Sequence, residues 1–185
     1  MIRAFDFFFS LIGLVLLFPV LLVLLIIGYF DTGKPLFVQK RLGQHQKHFN
    51  LIKFRTMHPN TKSVATHLAS HSSITSFGSF LRKSKLDELP QLVNVLKGDM
   101  SLVGPRPNLE NQTKLIQERD KRKVYSVLPG ITGLSQINDI DMSTPEKISI
   151  SDAKMIQELN IKNYFYYIIS TVSGKGKGDR IKKED

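Results

Sequence analysis

An uncharged apolar stretch near the N-terminus constrains the fold more than any other feature of this sequence. From Phe7 to Phe30 the chain reads FFFSLIGLVLLFPVLLVLLIIGYF. At ~1.5 Å per residue, one helix of this length would exceed the ~30 Å hydrocarbon core of a bilayer. A secretory signal has a shorter apolar region followed by small residues at its cleavage site, and the sequence that follows here, GYFDTGK, has no such site. The stretch therefore predicts a retained membrane helix.

Two arrangements of this helix are open from the residues alone. A straight span is the simplest interpretation of such a length. Pro19, near the midpoint, removes a backbone donor and clashes with the preceding turn, so it favours a bend or a break. Basic residues flank both ends, with Arg3 before the stretch and Lys34, Lys40 and Arg41 after it. Because this distribution does not favour placing the ends on opposite sides, it is compatible with a hairpin that enters and leaves by one face.

The composition limits the chemistry of the chain. Among 185 residues, 26 Lys+Arg stand against 16 Asp+Glu, and the net charge is +10. Such a balance indicates an anionic partner: nucleic acid, acidic lipid or a polyphosphate. The absence of cysteine excludes disulfides, thiolate zinc sites and thiol catalysis. Histidines and carboxylates are left as the possible side-chain ligands of a metal.

After Gly33 the pattern predicts an α+β domain that is predominantly helical. Apolar-rich stretches from Leu36 to Lys40 and from Phe49 to Phe54 flank a polar connection, which is typical of a β-hairpin. Its second strand carries Lys53 and leads to Arg55. Helices are expected at about 77–83, 87–96, 109–125 and from 145 or 151 to 172, with loops at 58–76 and 127–138 and a basic tail from 174.

Two weaker patterns each have a structural and a functional interpretation. His67 and His71 are spaced i, i+4 and could bind a metal if they were helical, but polar residues surround them as in a solvated loop. The aromatic run from Tyr164 to Tyr167 could lie in the core or at the level of lipid headgroups.

The acidic pair in KLDELPQL, residues 85–92, also has two interpretations. Asp87 and Glu88 suit the first turn of a helix, where acidic side chains and Pro90 are favoured. Adjacent helical residues point ~100° apart, so the two carboxylates cannot converge on one atom and would need different roles. A carboxylate at a helix start could attack phosphorus, with the positive helix end and a cation offsetting the repulsion between anions.

Basic residues near this pair are candidates for phosphate binding. In GPRP, residues 104–107, the two prolines hold Arg106 on a stiff extended backbone. A guanidinium held in this way suits a diphosphate. Arg82 shortly precedes Asp87, and Lys53 and Arg55 lie in KFRT. Each of these cations could equally be a solvated surface charge.

Several segments in this order resemble one family. KFRTM (53–57), LDELPQLVNVLKGDMSLVGPRP (86–107) and PGITGLSQIN (129–138), behind a Pro-containing hydrophobic N-terminus, look like the bacterial monotopic phosphoglycosyl transferases, also called bacterial sugar transferases. The resemblance covers nearly the whole chain. It implies a re-entrant membrane helix over 1–31 and a membrane-associated catalytic domain over 32–185, with amphipathic helices at the interface. It also implies a location at the cytoplasmic face of the bacterial inner membrane.

The same resemblance implies an activity. Family members transfer a sugar 1-phosphate from a UDP-sugar to polyprenol phosphate, such as undecaprenyl phosphate, in the first membrane step of bacterial glycan assembly. It implies that Asp87 is the nucleophile and a ligand of Mg2+, and that Glu88 assists it. Membrane lipids are expected partners, and nucleic acid is not. The substrate-binding residues expected from the matching segments are Lys53, Arg55, Arg82, Arg106 and Gln136.

The sequence departs from the family pattern at three places. Phe18 stands where a serine often precedes the proline of the membrane helix. Leu128 stands where a basic residue commonly precedes PGITG. After the glutamine, many members have Asn-Gly-Arg, whereas this chain has Asn138, Asp139 and Ile140. The last two departures remove positive charge from the expected donor site.

Two other interpretations compete with the transferase. A membrane-anchored basic module that binds acidic lipid or nucleic acid without catalysis would also explain the net charge. A member of the family that has lost activity through the substitutions at Leu128 and Ile140 would keep the same fold. Release of UMP from a UDP-sugar separates both of them from an active transferase.

Overall fold

Helices dominate the computed structural model, which describes residues 1–61 and 73–176. The α-helices are α1 (Ile2–Thr32), α2 (Ser76–Ser84), α3 (Gln91–Lys97), α4 (Thr113–Lys121), α5 (Leu134–Ile137), α6 (Pro145–Glu158) and α7 (Ile161–Val172). The strands are β1 (Leu36–Leu42), β2 (His48–Phe54), β3 (Ser101–Val103) and β4 (Gly130–Thr132), and 3-10 turns lie at Gln44–Gln46, Leu86–Glu88 and Val124–Ser126. The predominantly helical α+β class is confirmed. The His67 and His71 pair and most of the basic tail lie outside the described residues.

The predicted membrane stretch is one uninterrupted helix, α1, that is long and apolar enough to cross a membrane. Pro19 lies inside it and does not end it. Gly33 terminates it in the left-handed region, at φ 69°, where its N–H donates to the carbonyl of Tyr29. Glycine is the usual residue at such a helix end. Most large apolar side chains of α1 are exposed, a surface that requires lipid rather than water.

The N-terminal end of α1 is bonded to the domain that follows it. The Arg3 guanidinium donates to the carbonyls of Val95 at 2.7 Å and Met100 at 2.9 Å. Asp6 is buried, and its carboxylate accepts the backbone N–H of Leu102 at 2.9 Å. These bonds attach the start of the helix to the end of α3 and to β3.

The C-terminal half of α1 packs on another part of the same domain. Leu24 is buried against Phe54 of β2 and Leu81 of α2. Near the end of the helix, the hydroxyl of Thr75 donates to the carboxylate of Asp31 at 2.7 Å. The domain therefore contacts both ends of α1.

The central turns of α1 face away from the domain. Val15, Leu16 and Phe18 are 66%, 72% and 62% exposed. These turns also contain Pro19, which cannot donate a backbone hydrogen bond to the preceding turn. No residue of α1 between Ser10 and Leu24 is buried, whereas buried residues occur on both sides of this segment.

The predicted β-hairpin is present, with β1 and β2 paired antiparallel along their lengths. Helix α3 is fixed to this hairpin by Asn94, which is fully buried. Its amide donates to the carbonyl of Asn50 at 2.8 Å, and its side-chain oxygen accepts the N–H of Ile52 at 3.0 Å. Because a buried amide needs partners for both ends, this residue sets the position of α3 on β2.

A second, parallel strand pair joins the GPRP and PGITG motifs. In the register of β3 and β4, Ser101 lies opposite Gly130. The N–H of Gly130 also donates to the carbonyl of Pro105 at 2.9 Å. The backbones approach so closely that a Cβ at Gly104 would lie 2.5 Å from the Leu128 carbonyl oxygen. The expectation of a loop over 127–138 is therefore wrong for most of that segment, which contains β4 and α5.

Two predicted helices are shorter than expected. The helix expected at 109–125 is only α4, since Leu109 donates its N–H to the Gln112 side chain in a turn and Lys123 adopts a left-handed conformation at φ 55°. The last predicted helix is divided into α6 and α7. Asn160 is extended between them, and its side chain caps α7 by accepting the N–H of Asn163 at 3.0 Å.

The aromatic run in α7 contributes to both the core and the surface. Tyr164 and Tyr167 are buried with Met155, and the hydroxyl of Tyr164 donates to Asp6 at 2.9 Å. Tyr166 is half exposed. The core interpretation is therefore confirmed for Tyr164 and Tyr167, and a position at the level of lipid headgroups stays a prediction for Tyr166.

Candidate active site

The Asp87 and Glu88 pair lies on a tight turn that precedes a helix. Leu86–Glu88 is a 3-10 turn, and α3 begins only at Gln91, behind Pro90. The helix predicted at 87–96 is therefore wrong in its first turn. Pro90 has no N–H to continue an α-helical bond from this segment, and 3-10 bonds take its place. Asp87 is only 4% exposed on this turn.

Glu88 and Arg106 connect the two most distinctive motifs of the sequence. The Arg106 guanidinium donates to the Glu88 carboxylate at 2.7 Å, with the side chains 24% and 14% exposed respectively. A short, partly buried ion pair of this kind is screened by water less than a surface pair. It holds the stiff GPRP segment next to the turn that carries Asp87.

A buried ion pair supports the backbone of the GPRP segment. Arg119 of α4 donates to Asp152 of α6 at 2.7 Å, and the two side chains are 2% and 0% exposed. Arg119 also donates to the carbonyl of Arg106 at 2.8 Å and to the side chain of Asn108 at 3.0 Å. Helices α4 and α6, which lie outside the 86–107 segment, thus determine where the backbone of Arg106 lies.

Asp152 also positions the segment that carries Gln136. The hydroxyl of Ser135 donates to Asp152 at 2.7 Å, and the amide of Gln136 donates to the carbonyl of Gly104 at 3.2 Å. The side-chain oxygen of Gln136 is buried and has no hydrogen-bond partner among the residues described. A buried acceptor without a partner is costly and is able to receive a donor from a bound molecule.

Arg82 presents an unsatisfied guanidinium nitrogen. Its Nε donates to the hydroxyl of Thr56 at 2.8 Å, which joins α2 to the KFRTM segment. Its Nη1 is buried and lacks a hydrogen-bond partner within residues 1–61 and 73–176. Because a buried charged donor is stable only when paired, this nitrogen is suited to an anion such as phosphate.

The two basic residues of KFRT are placed differently. Lys53 is 8% exposed on β2, the strand that contacts the Asp87 turn. Its ammonium lies 5.7 Å from the centre of the Phe37 ring. Arg55 stacks on the same ring and donates to the carbonyl of Lys34 at 2.9 Å. The described contacts of Arg55 are thus with the hairpin, whereas Lys53 lies on the strand next to the candidate site.

Lys85 is a further basic residue at the site. Burial lowers the pKa of its ammonium, and the nearby positive charge of Arg106 acts in the same direction, while the carboxylates of Glu88 and Asp139 oppose the shift. The ammonium donates to the backbone carbonyl of Lys175 at 2.6 Å. Lys85 therefore lies among charged groups from the Asp87 turn, the GPRP segment and the end of α5.

The carboxylates of the site can be tested for metal binding by their number and setting. Within the described ranges, no group of three or more His, Asp or Glu side chains could hold a metal ion. Mg2+ does not require one, because it commonly uses one or two protein carboxylates together with substrate phosphates and water. Asp87 is compatible with this pattern, since Arg106 bonds to Glu88 of its turn and α2, which carries Arg82, contacts that turn.

The sequence model of the bacterial sugar transferase family matches residues 1–177. The chain belongs to the bacterial sugar transferase family. The match includes the apolar helix, the Asp87 turn and every site residue expected from the sequence. The family assignment made from the sequence segments is therefore confirmed.

Relatives of this sugar transferase include three named proteins. The uncharacterized sugar transferase EpsL of Bacillus subtilis is 44% identical over 135 residues, which cover 73% of this chain and 64% of that protein. The undecaprenyl-phosphate galactose phosphotransferase of Salmonella typhimurium is 36% identical over 162 residues, 77% of this chain and 34% of that protein. The UDP-glucose:undecaprenyl-phosphate glucose-1-phosphate transferase of Xanthomonas campestris pv. campestris is 41% identical over 147 residues, 74% of this chain and 30% of that protein. The chain spans only part of the length of each relative.

Three residues that organise the site carried no recognised signal in the sequence. Arg119 lies in a stretch rich in charged residues, where burial is not expected, and Asp152 lies in a polar part of α6. Lys85 precedes the acidic pair and resembles a surface lysine. The sequence does place Lys85 between the end of one predicted helix and the start of the next, where a residue often adopts a left-handed conformation.

Proposed function

We propose that this sugar transferase moves a sugar 1-phosphate from a UDP-sugar to polyprenol phosphate, giving a polyprenol diphosphate sugar and UMP. The observation that carries the proposal is the buried Asp87 on a turn joined to the GPRP motif by the 2.7 Å Glu88–Arg106 ion pair. The names of two relatives supply the substrate classes, undecaprenyl phosphate in both and a UDP-sugar in one.

Asp87 is the proposed nucleophile and Glu88 its assistant. Successive residues of a 3-10 turn point ~120° apart. Glu88 can therefore bind Arg106 while Asp87 faces another direction. This division of roles explains why an adjacent acidic pair is useful here although the two carboxylates cannot converge on one atom. Low exposure of Asp87 limits competition from water for the reacting phosphorus.

The proposed reaction has two displacements at one phosphorus atom. A carboxylate oxygen of Asp87 attacks the phosphorus that carries the sugar, and the bond from that phosphorus to the oxygen of UMP breaks. The product is an acyl phosphate on Asp87 and free UMP. A phosphate oxygen of the polyprenol phosphate then attacks the same phosphorus, and the carboxylate of Asp87 is regenerated. Splitting the transfer in this way predicts ping-pong kinetics.

The basic residues offset the charge of the substrates. The proposed substrate-binding residues are Lys53, Arg55, Arg82, Arg106 and Gln136. Arg82 contributes the buried nitrogen that has no partner in the described part of the chain, and Arg106 contributes a guanidinium on a stiff backbone. Such pre-positioned donors stabilise negative charge that moves onto the leaving phosphate.

Asp87 is also the residue proposed to hold Mg2+. When bound, the ion neutralises phosphate charge and makes UMP a better leaving group. The protein would supply few ligands, since one carboxylate oxygen of Glu88 already accepts a hydrogen bond from Arg106. Asp87 and the phosphates of the substrate would supply the remaining ligands.

A re-entrant α1 at the cytoplasmic face is the proposed membrane arrangement. Arg3 and Asp31, near opposite ends of α1, both bond to the same domain. A helix that crossed the bilayer would separate these ends by the ~30 Å hydrocarbon core and place only one of them beside a domain on one face. A helix that enters and leaves by one face lets both ends keep their bonds and exposes the middle to lipid.

Helix α7 is proposed to add a second contact with the interface. Phe165 of α7 packs on Phe5 and Phe9 of α1, with ring centres 5.4 and 5.8 Å apart. Beyond this contact, α7 exposes Tyr166 and Ile169. Aromatic and aliphatic side chains in that position suit the boundary between headgroups and acyl chains. The site would thus lie at the level of the acceptor phosphate, which aligns the reactants before the chemical step.

Release of UMP tests the proposed activity. Detergent-purified protein is incubated with Mg2+, polyprenol phosphate and a panel of UDP-sugars, and UMP is measured. We expect UMP from at least one donor with wild type and none with Asp87→Asn that is folded by its thermal transition. Lack of UMP from every donor would instead favour the non-catalytic basic module or an inactive family member.

Labelling of the two ends of the chain tests the proposed topology. Single cysteines are added directly after Met1 or after Asp185 of this cysteine-free chain. Intact cells that contain either variant are treated with a thiol reagent that cannot cross the inner membrane. Protection of both positions until the cells are opened is the expected result. Labelling of the N-terminal cysteine alone in intact cells would restore the straight span.

A further inference from the structure

Lys85 occupies a position that does not require a lysine for folding. It ends α2 in the left-handed conformation, at φ 58°, and its N–H closes the helix onto the carbonyls of Leu81 and Arg82. Glycine is the usual residue there, and a side chain in this conformation costs roughly 1 kcal/mol. Such strained positions are concentrated at functional sites, where the side chain is put to use.

Lys85 borders the candidate site, because its carbonyl accepts the N–H of Glu88 at 3.3 Å. Its ammonium lies within the electrostatic influence of Glu88, Asp139 and Arg106. These residues belong to three separate segments: the Asp87 turn, the end of α5 and the GPRP motif. A lysine on the open surface of α2 would not meet charges from all three.

Lys85 keeps capacity to bind an anion. An ammonium has three N–H donors, and one of them goes to the carbonyl of Lys175 at 2.6 Å. A flexible stem lets the head move between partners without rearrangement of the backbone. The carbonyl of Lys175 is an uncharged acceptor, which a phosphate oxygen outcompetes because charge-assisted hydrogen bonds are about twice as strong as neutral ones.

The direction of the side chain separates Lys85 from Arg82. Leu81 is buried against Leu24 of α1, so Arg82 follows a residue that packs on the membrane helix. The charge near Lys85 and its hydrogen-bond acceptor belong instead to other segments, Asp139 after α5 and Lys175 after α7. Lys85 and Arg82 would therefore meet different parts of the bound substrates.

We propose that Lys85 is a further substrate-binding residue, whose ammonium binds the diphosphate of the nucleotide sugar next to Arg106. This inference rests on the proposed transfer from a UDP-sugar. Donor binding then moves the ammonium from the Lys175 carbonyl to the phosphate oxygens.

Substitutions that tolerate the left-handed backbone test this role. Lys85→Asn removes the cation and keeps a residue type that adopts positive φ readily. Lys85→Arg keeps the charge. Lys83→Asn is the matched control, because Lys83 is an exposed lysine in the last turn of the same helix. For each protein, binding of UDP in the presence of Mg2+ is measured by calorimetry, and KM is measured separately for the UDP-sugar and for polyprenol phosphate.

We expect Lys85→Asn to weaken UDP binding about tenfold and to raise the donor KM by a similar factor, as for loss of one charge-assisted hydrogen bond. The acceptor KM stays at the wild-type value, Lys85→Arg recovers most of the loss, and Lys83→Asn behaves as wild type. Unchanged UDP binding in Lys85→Asn, or a rise in the acceptor KM alone, would overturn the inference. Absence of transfer in wild type would defeat the proposed function instead, while the UDP measurement still decides whether Lys85 binds the nucleotide.

Discussion

Removing one member of the buried Arg119–Asp152 pair should destabilise the protein strongly. In Asp152→Asn the shape of the side chain is kept, but the guanidinium of Arg119 loses its counter-charge at a site where the two groups are 2% and 0% exposed. Breaking a buried pair on one side costs about 3–5 kcal/mol, because the charge that remains is neither solvated nor paired. For a chain of this size, each kcal/mol lowers the melting temperature by about 2–4 °C. The expected loss is therefore roughly 6–20 °C.

The exposed pair on the same helix provides the control. Lys154 and Glu158 of α6 lie 4.0 Å apart and are 62% and 51% exposed. Exposed pairs of this kind contribute little, so Glu158→Gln should leave the melting temperature within about 2 °C of wild type. Both variants are compared with wild type by thermal unfolding in one detergent at pH 7.

A double variant separates the loss of the pair from the loss of packing. The double variant Arg119→Met/Asp152→Leu removes both charges and fills the space with apolar side chains. Its loss of stability should be at least ~1 kcal/mol smaller than the sum of the losses in Arg119→Met alone and Asp152→Leu alone. A melting temperature of Asp152→Asn equal to that of Glu158→Gln would refute the reasoning. Additivity of the single changes would show that the two side chains do not act as a pair.

Three further predictions concern pH, packing and metal. Burial raises the pKa of the Tyr125 hydroxyl, and burial together with the negative charge of Asp6 raises the pKa of the Tyr164 hydroxyl. Because the unfolded state loses these protons first, the contribution of the two hydroxyls to the free energy of unfolding should be constant below about pH 9 and fall above about pH 10, by up to ~1.4 kcal/mol per pH unit for each tyrosine. Tyr164→Phe should show a smaller slope. Gly130→Ala places a Cβ against the Gly104 backbone and should reduce stability by more than ~3 kcal/mol in chemical unfolding, whereas Gly13→Ala, which meets only the end of a leucine side chain at 3.3 Å, should change it little. Chelation by EDTA should abolish UMP release, and added Mg2+ should restore it; activity that persists in EDTA would exclude the proposed ion.

The long and locally repetitive parts of the fold could be predicted from the sequence. The uncharged stretch within α1, the apolar-rich stretches of β1 and β2, and the helix signals of α2 depend mainly on neighbouring residues. The membrane helix, the hairpin and α2 therefore appear close to the expected ranges. Segment patterns also supported the family, because KFRTM, the 86–107 signature and PGITGLSQIN are distinctive without knowledge of their contacts.

The parts that depend on distant residues could not be predicted in this way. β3 and β4 each have three residues, too few to show a period, and they become strands only because Gly104 and Gly130 allow their backbones to meet. Arg119 has charged neighbours like those of a surface residue, and its burial depends on Asp152, which lies far along the chain. The residues next to Arg119 in the sequence do not predict such a partner.

The acidic pair shows both outcomes in one place. The sequence predicted that Asp87 and Glu88 have different roles, and the structure gives Glu88 a partner in Arg106. The predicted helix start was wrong because Pro90 interrupts the hydrogen bonds at that point. Pro90 was visible in the sequence, but it was interpreted as part of a regular first turn.

Capture of the covalent intermediate tests the central claim most directly. The protein is mixed with Mg2+ and a UDP-sugar that supports transfer, labelled with 32P at the sugar-bearing phosphate, in the absence of polyprenol phosphate. We predict label on wild-type protein at Asp87, sensitive to hydroxylamine as an acyl phosphate is, with an equal amount of UMP released, and transfer of the label to lipid when polyprenol phosphate is added. No label on wild-type protein under conditions that give product with acceptor present, or label that persists in Asp87→Asn, would contradict the account.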